Sequence, residues 1–375
     1  MKTTAIALAI GTMLTVEQRD MRRSHHDYPS AAVSADGRFV AFTTYSRLVP
    51  ADTDDWSDVY VLDRTRQHVT LESADTLPYT GDAAHPGISG DGRYLVYQRA
   101  SVVVSRDRER GVTSIIGPGD QPAITENGNI AVFSAVRFDA ALGGDINGDY
   151  SDVYALDLPT GHAQRISVDS GLPASLTDAA QPAASRDGRY VAFSSRVHAR
   201  SRHRSSSQVF VRDTRLHTTR AVGAGWEPSI SGDGGIVAFV SVRDDVPHIV
   251  VADLQAGESR IITKSVRRGL ANGGSAKPQI SSDGRFVAFQ SEASDLVADE
   301  DINLLWDVFL FDRTTGEMTR VSSDPDAEWM ESSGGPSIDA RGSIVAFSSR
   351  HPTGASDKRN DFDLYVATIS GPRLP

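Results

Sequence analysis

The 375-residue chain contains no cysteine, so disulfides, thiol catalysis and thiolate metal centres are excluded. It has no G-x-S-x-G nucleophile elbow and no H-E-x-x-H helix, which removes a fused α/β-hydrolase and the zincin class. Its ten histidines are scattered rather than clustered. The apolar stretch Ala5–Leu14 is too short to cross a bilayer as a helix. Positive charge is in deficit, 38 Lys and Arg against 49 Asp and Glu, for a net charge of −11. That balance argues against general binding to nucleic acid or to an anionic membrane. No linker or low-complexity tract divides the chain.

What the chain does have is repetition. A nonapeptide returns seven times: SADGRFVAF (Ser34–Phe42), SGDGRYLVY (Ser89–Tyr97), TENGNIAVF (Thr125–Phe133), SRDGRYVAF (Ser185–Phe193), SGDGGIVAF (Ser231–Phe239), SSDGRFVAF (Ser281–Phe289) and DARGSIVAF (Asp339–Phe347). From Gly37 to Gly342 the mean step is about 51 residues, a period that belongs to solenoids, propellers or arrays. A second marker follows each nonapeptide, as in DVYVLD (Asp58–Asp63) and DVFLFD (Asp307–Asp312). A third short run, of the type Arg320–Ser322, follows in six units. A proline opens each unit: Pro29, Pro86, Pro122, Pro182, Pro228, Pro278 and Pro336.

These runs are rich in Val, Phe and Tyr and bounded by turn residues, so they read as strands. In order from the proline they are strands A, B, C and D. The A–B link is Asp-Gly or Asn-Gly in six units, the strongest short-range hairpin signal. Strand B is apolar on both faces, as in Phe39-Val40-Ala41-Phe42, whereas a solvated sheet alternates. Sheets stacked around an axis bury both faces, which predicts an all-β, seven-bladed β-propeller of four-stranded blades.

The S-x-D-G-R-x-V-A-F runs, the upstream proline and the D-V-x-V-x-D strand with its T-G-x-x-x-R-V-S sequel resemble the TolB-type, WD-like β-propeller repeat of exported bacterial proteins. The resemblance runs from roughly Thr15 to Ser370. It implies the propeller fold and an exported, periplasmic or extracellular, location. It says little about function, because propellers host binding, scaffolding and catalysis alike. TolB has six blades and a further small domain; seven units leave no room for that domain here.

The last unit ends in ISGPRLP and lacks a strand D. Counting back from Pro29 places the missing strand at Leu14–Gln18, so an N-terminal strand is expected to close the ring and leave no unpaired edge. The expected organisation is a signal-peptide-like apolar segment over residues 1–14 and one propeller over 15–375. A cytoplasmic protein with an apolar start is the alternative.

Hairpin links A–B and C–D share one face of such a ring, and the longer B–C and D–A links share the other. Long loops on a rigid scaffold are where binding sits. All four tryptophans, Trp56, Trp226, Trp306 and Trp329, fall on the long-loop face, either as recognition residues or as anchors between blades. The residues before the strand-A prolines are expected to ring the channel mouth: Tyr28, His85, Gln121, Gln181, Glu227, Lys277 and Gly335. Their divergence points to an asymmetric ligand site; a water-filled pore is the alternative. In the loop GDINGDYSD, Asp145, Asn147, Asp149 and Asp152 follow D-x-N-x-D-x-x-D, which can wrap Ca²⁺, though Asp and Asn also cap turns. The loop resembles the calcium loops of integrin-type propeller repeats, with Tyr150 in place of their glycine. Asp52, Asp54 and Asp58 form a thinner version, as do Asp301, Asn303 and Asp307.

The expected function is a non-enzymatic, monomeric binding or scaffold propeller that recognises a protein, peptide or glycan on its long-loop face and channel mouth. A carbohydrate-active enzyme, a lyase or glycosidase working at the channel mouth, is the alternative. No cofactor other than Ca²⁺ is suggested.

Overall fold

The computed structural model describes residues 7–10, 29–73, 80–136, 138, 150–168, 176–198, 205–298, 305–322, 332–350 and 362–370. These form seven four-stranded antiparallel sheets, and the molecule is a seven-bladed β-propeller. Blade one is typical: A is Ala31–Val33, B is Phe39–Thr44, C is Asp58–Asp63 and D is His68–Leu71. Burial follows strand position. All six residues of Asp58–Asp63 are buried, whereas His68–Leu71 is only partly covered.

The apolar B strands do what two-sided burial requires. Val40, Ala41 and Phe42 are all sealed from solvent. In five blades an aromatic ring of B stacks on one of C: Phe42–Tyr60, Phe133–Tyr154, Phe193–Phe210, Phe289–Phe309 and Phe347–Tyr365, with centroids 5.5–6.0 Å apart. Such pairs add roughly 0.5–1.5 kcal/mol each to the burial of the rings.

The repeated S-x-D-G-R turn is a self-contained device. Ser34 Oγ donates to Asp36 Oδ1 (2.6 Å) and accepts from the Phe39 N–H (2.9 Å), while Asp36 Oδ1 accepts from the Arg38 N–H (2.9 Å). The Arg38 guanidinium then forks the Asp63 carboxylate at the end of C (3.2 and 2.7 Å) and lies over the Phe39 ring. Arg93–Asp107, Arg189–Asp213 and Arg285–Asp312 repeat the fork. Blades three, five and seven carry Asn129, Gly235 and Ser343 in the arginine position. The turn glycine has two jobs. Gly92 sits at φ 73, and a Cβ there would lie 2.1 Å from the Phe39 ring of the preceding blade.

These turns also hold one another around the ring. The Ala35 N–H donates to Gly90 O, Gly90 to Glu126 O, Arg186 to Gly232 O, Gly232 to Ser282 O, Asp283 to Ala340 O and Ala340 to Ala35 O, all at 2.8–3.2 Å. Between blades three and four an Arg186–Glu126 ion pair at 2.9 Å takes the place of the backbone bond. This end of the ring is laced together.

An N-terminal strand closes blade seven, but not the one expected. Ala7–Ile10, rather than Leu14–Gln18, pairs antiparallel with Ala367–Ser370. Strand C of this blade, Asp363–Ser370, is eight residues long where blade one has six. Its extra length carries the free edge to an apolar ALAI segment. Counting residues back from Pro29 assumed a D–A link of ordinary length, and that assumption fails. Leu14–Gln18 lies outside the described residues, and Ala7–Ile10 falls within the 1–14 segment.

The B–C link of blade four departs from the long loop expected on this face. In blade four strands B (Tyr190–His198) and C (Ser205–Asp213) pair from Tyr190↔Asp213 to His198↔Ser205. This hairpin is three residues longer per strand than blade one's.

Candidate functional site

The A strands line a central channel with a cavity of about 700 Å³. Thr43, Tyr45, Ser57 and Asp82 line it together with the prolines. These four belong to the B–C and D–A ends of strands, so the cavity opens on the long-loop face. No residue of the laced A–B turns contributes to its described lining.

Each residue before a strand-A proline, among those described, lies on this wall: His85, Gln121, Gln181, Glu227, Lys277 and Gly335. Tyr28 lies outside the described residues; Pro29 after it lines the wall. All six have positive φ, from 50° to 64°. A residue before proline is normally pushed to extended backbone, and a non-glycine residue in the left-handed region is uncommon. The cause is a bulge in strand A. In blade two Ala84 pairs with Gln98 and Gly87 with Val96, so His85 and Pro86 oppose a single residue. The same shift occurs in blades three to seven. Bulges of this kind re-aim side chains beside functional sites.

The side chains also serve the ring. The Gln181 N–H donates to Gln121 Oε1 (2.9 Å), the Glu227 N–H to Gln181 Oε1 (3.0 Å) and the Lys277 N–H to Glu227 Oε2 (2.8 Å). Ser194 Oγ also donates to Gln181 Oε1 (2.9 Å). Lysine has no acceptor, and the relay stops at Lys277. The next amide, Gly335 N–H, donates instead to Gln290 Oε1 from strand B of blade six (2.8 Å). The divergence of the ring residues thus has an internal component: three of them share an oxygen that caps the following blade.

The wall also carries donor groups. With Oε1 occupied, Gln121 and Gln181 offer their amide NH₂ groups. Lys277 adds an ammonium and His85 an imidazole. Asp120 stands near His85; burial raises its carboxyl pKa, and the His85 charge opposes that. The relay and the positive φ values were not readable from the sequence. The prolines marked the positions, but pre-proline bias predicts extended backbone there.

The tryptophans do not behave as a set. Trp56 is 46% exposed, whereas Trp226 is half-buried against the core shared by blades five and six. Trp306 is half-buried, and Trp329 lies outside the described residues.

Of the blade-three aspartate loop, Asp145, Asn147 and Asp149 lie outside the described residues. Asp152 is buried; its Oδ1 accepts from Ser167 Oγ (2.5 Å) and its Oδ2 lies 3.5 Å from Arg165. Asp58 with Ser73 and Asp307 with Ser322 repeat the Asp–Ser pair, so it is a feature of the blade. Asp58 differs in its surroundings. Burial, with Asp54 and Asp52 adding, pushes its carboxyl up to about 6 against the pull of Ser73 and Arg99.

No protein-family model and no curated protein matches the sequence. Solved structures do match the fold. An oligogalacturonate lyase from Vibrio parahaemolyticus superposes with a TM-score of 0.58 at 13% identity, over 98% of this chain and 99% of that one. The β-propeller domain of the Trilobed protease from Pyrococcus furiosus gives 0.57 at 12%, over 92% and 94%. A putative TolB from Agrobacterium tumefaciens gives 0.47 at 17%, over 82% and 96%. At these identities the likeness is one of fold, and that fold is the propeller that the repeats predicted.

Proposed function

We propose that the protein is a binding propeller that captures an acceptor-rich chain, a peptide or a glycan, at the channel mouth on its long-loop face. The observation that carries this reading is the ring of side chains held at positive φ. Glycine adopts that backbone at no steric cost, and each other residue there costs of order 1 kcal/mol. Five of the six described ring positions nevertheless keep a side chain. The relay accounts for three, Gln121, Gln181 and Glu227. His85 and Lys277 also stand on the wall, and the chemistry of their polar ends suits a carboxylate or hydroxyl ligand. The cavity volume of about 700 Å³ is in the range of small-ligand pockets.

The test is capture of peptides and of neutral and uronate-containing oligosaccharides on arrays, by the wild type and by His85→Ala and Lys277→Met. Loss of capture in variants that still melt normally supports the site. Full capture by both variants removes it.

A second reading is a lyase at the same mouth. His85 is the one imidazole on the described cavity wall and has Asp120 for a neighbour, a base with a carboxylate beside it. Incubation with polyuronides and a search for an unsaturated product separates the readings. We also propose, on its sequence, that the blade-three loop binds Ca²⁺ through Asp145, Asn147, Asp149 and Asp152. In a chain that carries Asp54→Asn, a melting temperature that rises with calcium, and no longer rises when Asp145→Ala is added, supports that assignment.

A further inference from the structure

A different acidic group, in blade one, lies wholly within the described structure. Asp52, Asp54 and Asp58 each place one carboxylate oxygen within 4.8 Å of the others. Asp52 and Asp58 are buried and Asp54 is half-buried. Like charges this close, in a poorly hydrated place, repel one another unless a cation joins them.

The protein's own groups do not supply that cation in full. Asp58 Oδ1 has Arg99 at 3.5 Å, but that guanidinium nitrogen also donates to Ser73 O. Arg47 reaches the loop, yet it bonds the Asp54 carbonyl and the Asp55 carboxylate rather than the three clustered groups. Asp54 Oδ1 accepts from the Trp56 N–H. Asp52 is the telling residue. Its Oδ2 accepts from the Tyr60 hydroxyl at 2.5 Å, while its Oδ1 is sealed from solvent with no donor. A buried carboxylate oxygen without a partner loses its hydration and receives nothing in return.

We propose that Asp52, Asp54 and Asp58 bind a divalent cation, Ca²⁺, between the B–C loop of blade one and the first residue of its strand C. The donors are all oxygen, which selects a hard ion over zinc or copper. Water and loop carbonyls complete the shell. The i, i+2, i+6 spacing wraps one segment around one ion, and Asp301, Asn303 and Asp307 repeat it in the sequence. The site is separate from the blade-three loop and anchors a long loop beside the channel, since Ser57, directly before Asp58, lines the cavity.

The experiment uses the full chain, stripped with chelator, and two probes: Ca²⁺ followed by melting temperature, and Tb³⁺ followed by luminescence sensitised through Trp56. Binding to the native state alone raises melting by mass action. We expect Ca²⁺ to raise the melting temperature, Tb³⁺ to emit on tryptophan excitation, and Ca²⁺ to quench that emission. With the blade-three loop silenced by Asp145→Asn and Asp149→Asn both responses should persist, and adding Asp54→Asn, which leaves the Tyr60 bond intact, or Asp52→Asn should abolish them. Trp56→Phe in that blade-three-silenced chain should lose the emission but keep the melting shift. No response in the wild type overturns the proposal. So does a response in the blade-three-silenced chain that survives Asp52→Asn and Asp54→Asn, or a wild-type response lost wholly once the blade-three loop is silenced.

Discussion

The two ends of the channel use the same unusual backbone and fill it differently. At the laced end every nonapeptide turn carries glycine at positive φ, from Gly37 to Gly342. At the open end the positive-φ residue is His85, Gln121, Gln181, Glu227 or Lys277, and glycine only at Gly335. The laced end repeats because each turn must pass under an aromatic or aliphatic side chain of the neighbouring blade and bond the next turn. The open end varies because its side chains, not its backbone alone, have work to do. Three of those side chains cap the next blade.

The comparison breaks most visibly at the laced end. Gly92→Val forces a side chain into the Phe39 ring and into left-handed backbone, and is expected to cost about 3 kcal/mol or more, measured by urea unfolding. A loss under about 1 kcal/mol would show that the turns are not the rigid end. Next comes the relay. Gln181→Met strips the acceptor from the Glu227 N–H and from Ser194, for an expected loss of about 1–3 kcal/mol. Glu227→Gln, which keeps an oxygen for the Lys277 N–H, should cost clearly less than Glu227→Leu. Equal losses would mean that the relay contributes nothing.

Acid should act on the laced end through its arginine forks. The Arg38 and Arg93 forks hold the Asp63 and Asp107 carboxyls below the ordinary value of 3.8. Their folded pKa lies below the unfolded one, so their contribution is complete above about pH 4 and is lost as pH falls through the folded value. The acid unfolding midpoint should therefore move up in Arg93→Met, read by circular dichroism. The smallest effect is at the mouth. His85→Ala and Lys277→Met should change stability by about 1 kcal/mol or less while removing ligand capture.

The hairpin turns of the laced end were legible in the sequence, though not the bonds that lace them together, and the open end was legible only in outline. Asp-Gly turn chemistry is local, so Ser34, Asp36 and Gly37 announce their geometry within a few residues. Gln121, Gln181 and Glu227 are 46–60 residues apart, and nothing local tells that one caps the next. Topology placed them on the wall; their bonds needed three-dimensional register. The closing strand failed for a related reason. Ala7–Ile10 pairs across almost the whole chain with Ala367–Ser370, and loop counting carries no information about which apolar segment wins. Trp226 shows the same limit, since loop position alone does not separate an anchor from a recognition residue.

The relay stops at Lys277, and that stop has a consequence for any guest of the channel. Seven matching wall residues would present an off-axis ligand with seven indistinguishable poses, a degeneracy worth RT ln 7, or about 1 kcal/mol, in occupancy but none in definition. One lysine, with the Gln290 substitute beside it, gives the ring a unique sector, as a notch gives a dial its zero. A molecule that finds that sector is held at one azimuth, with whatever it carries aimed at one particular set of loops.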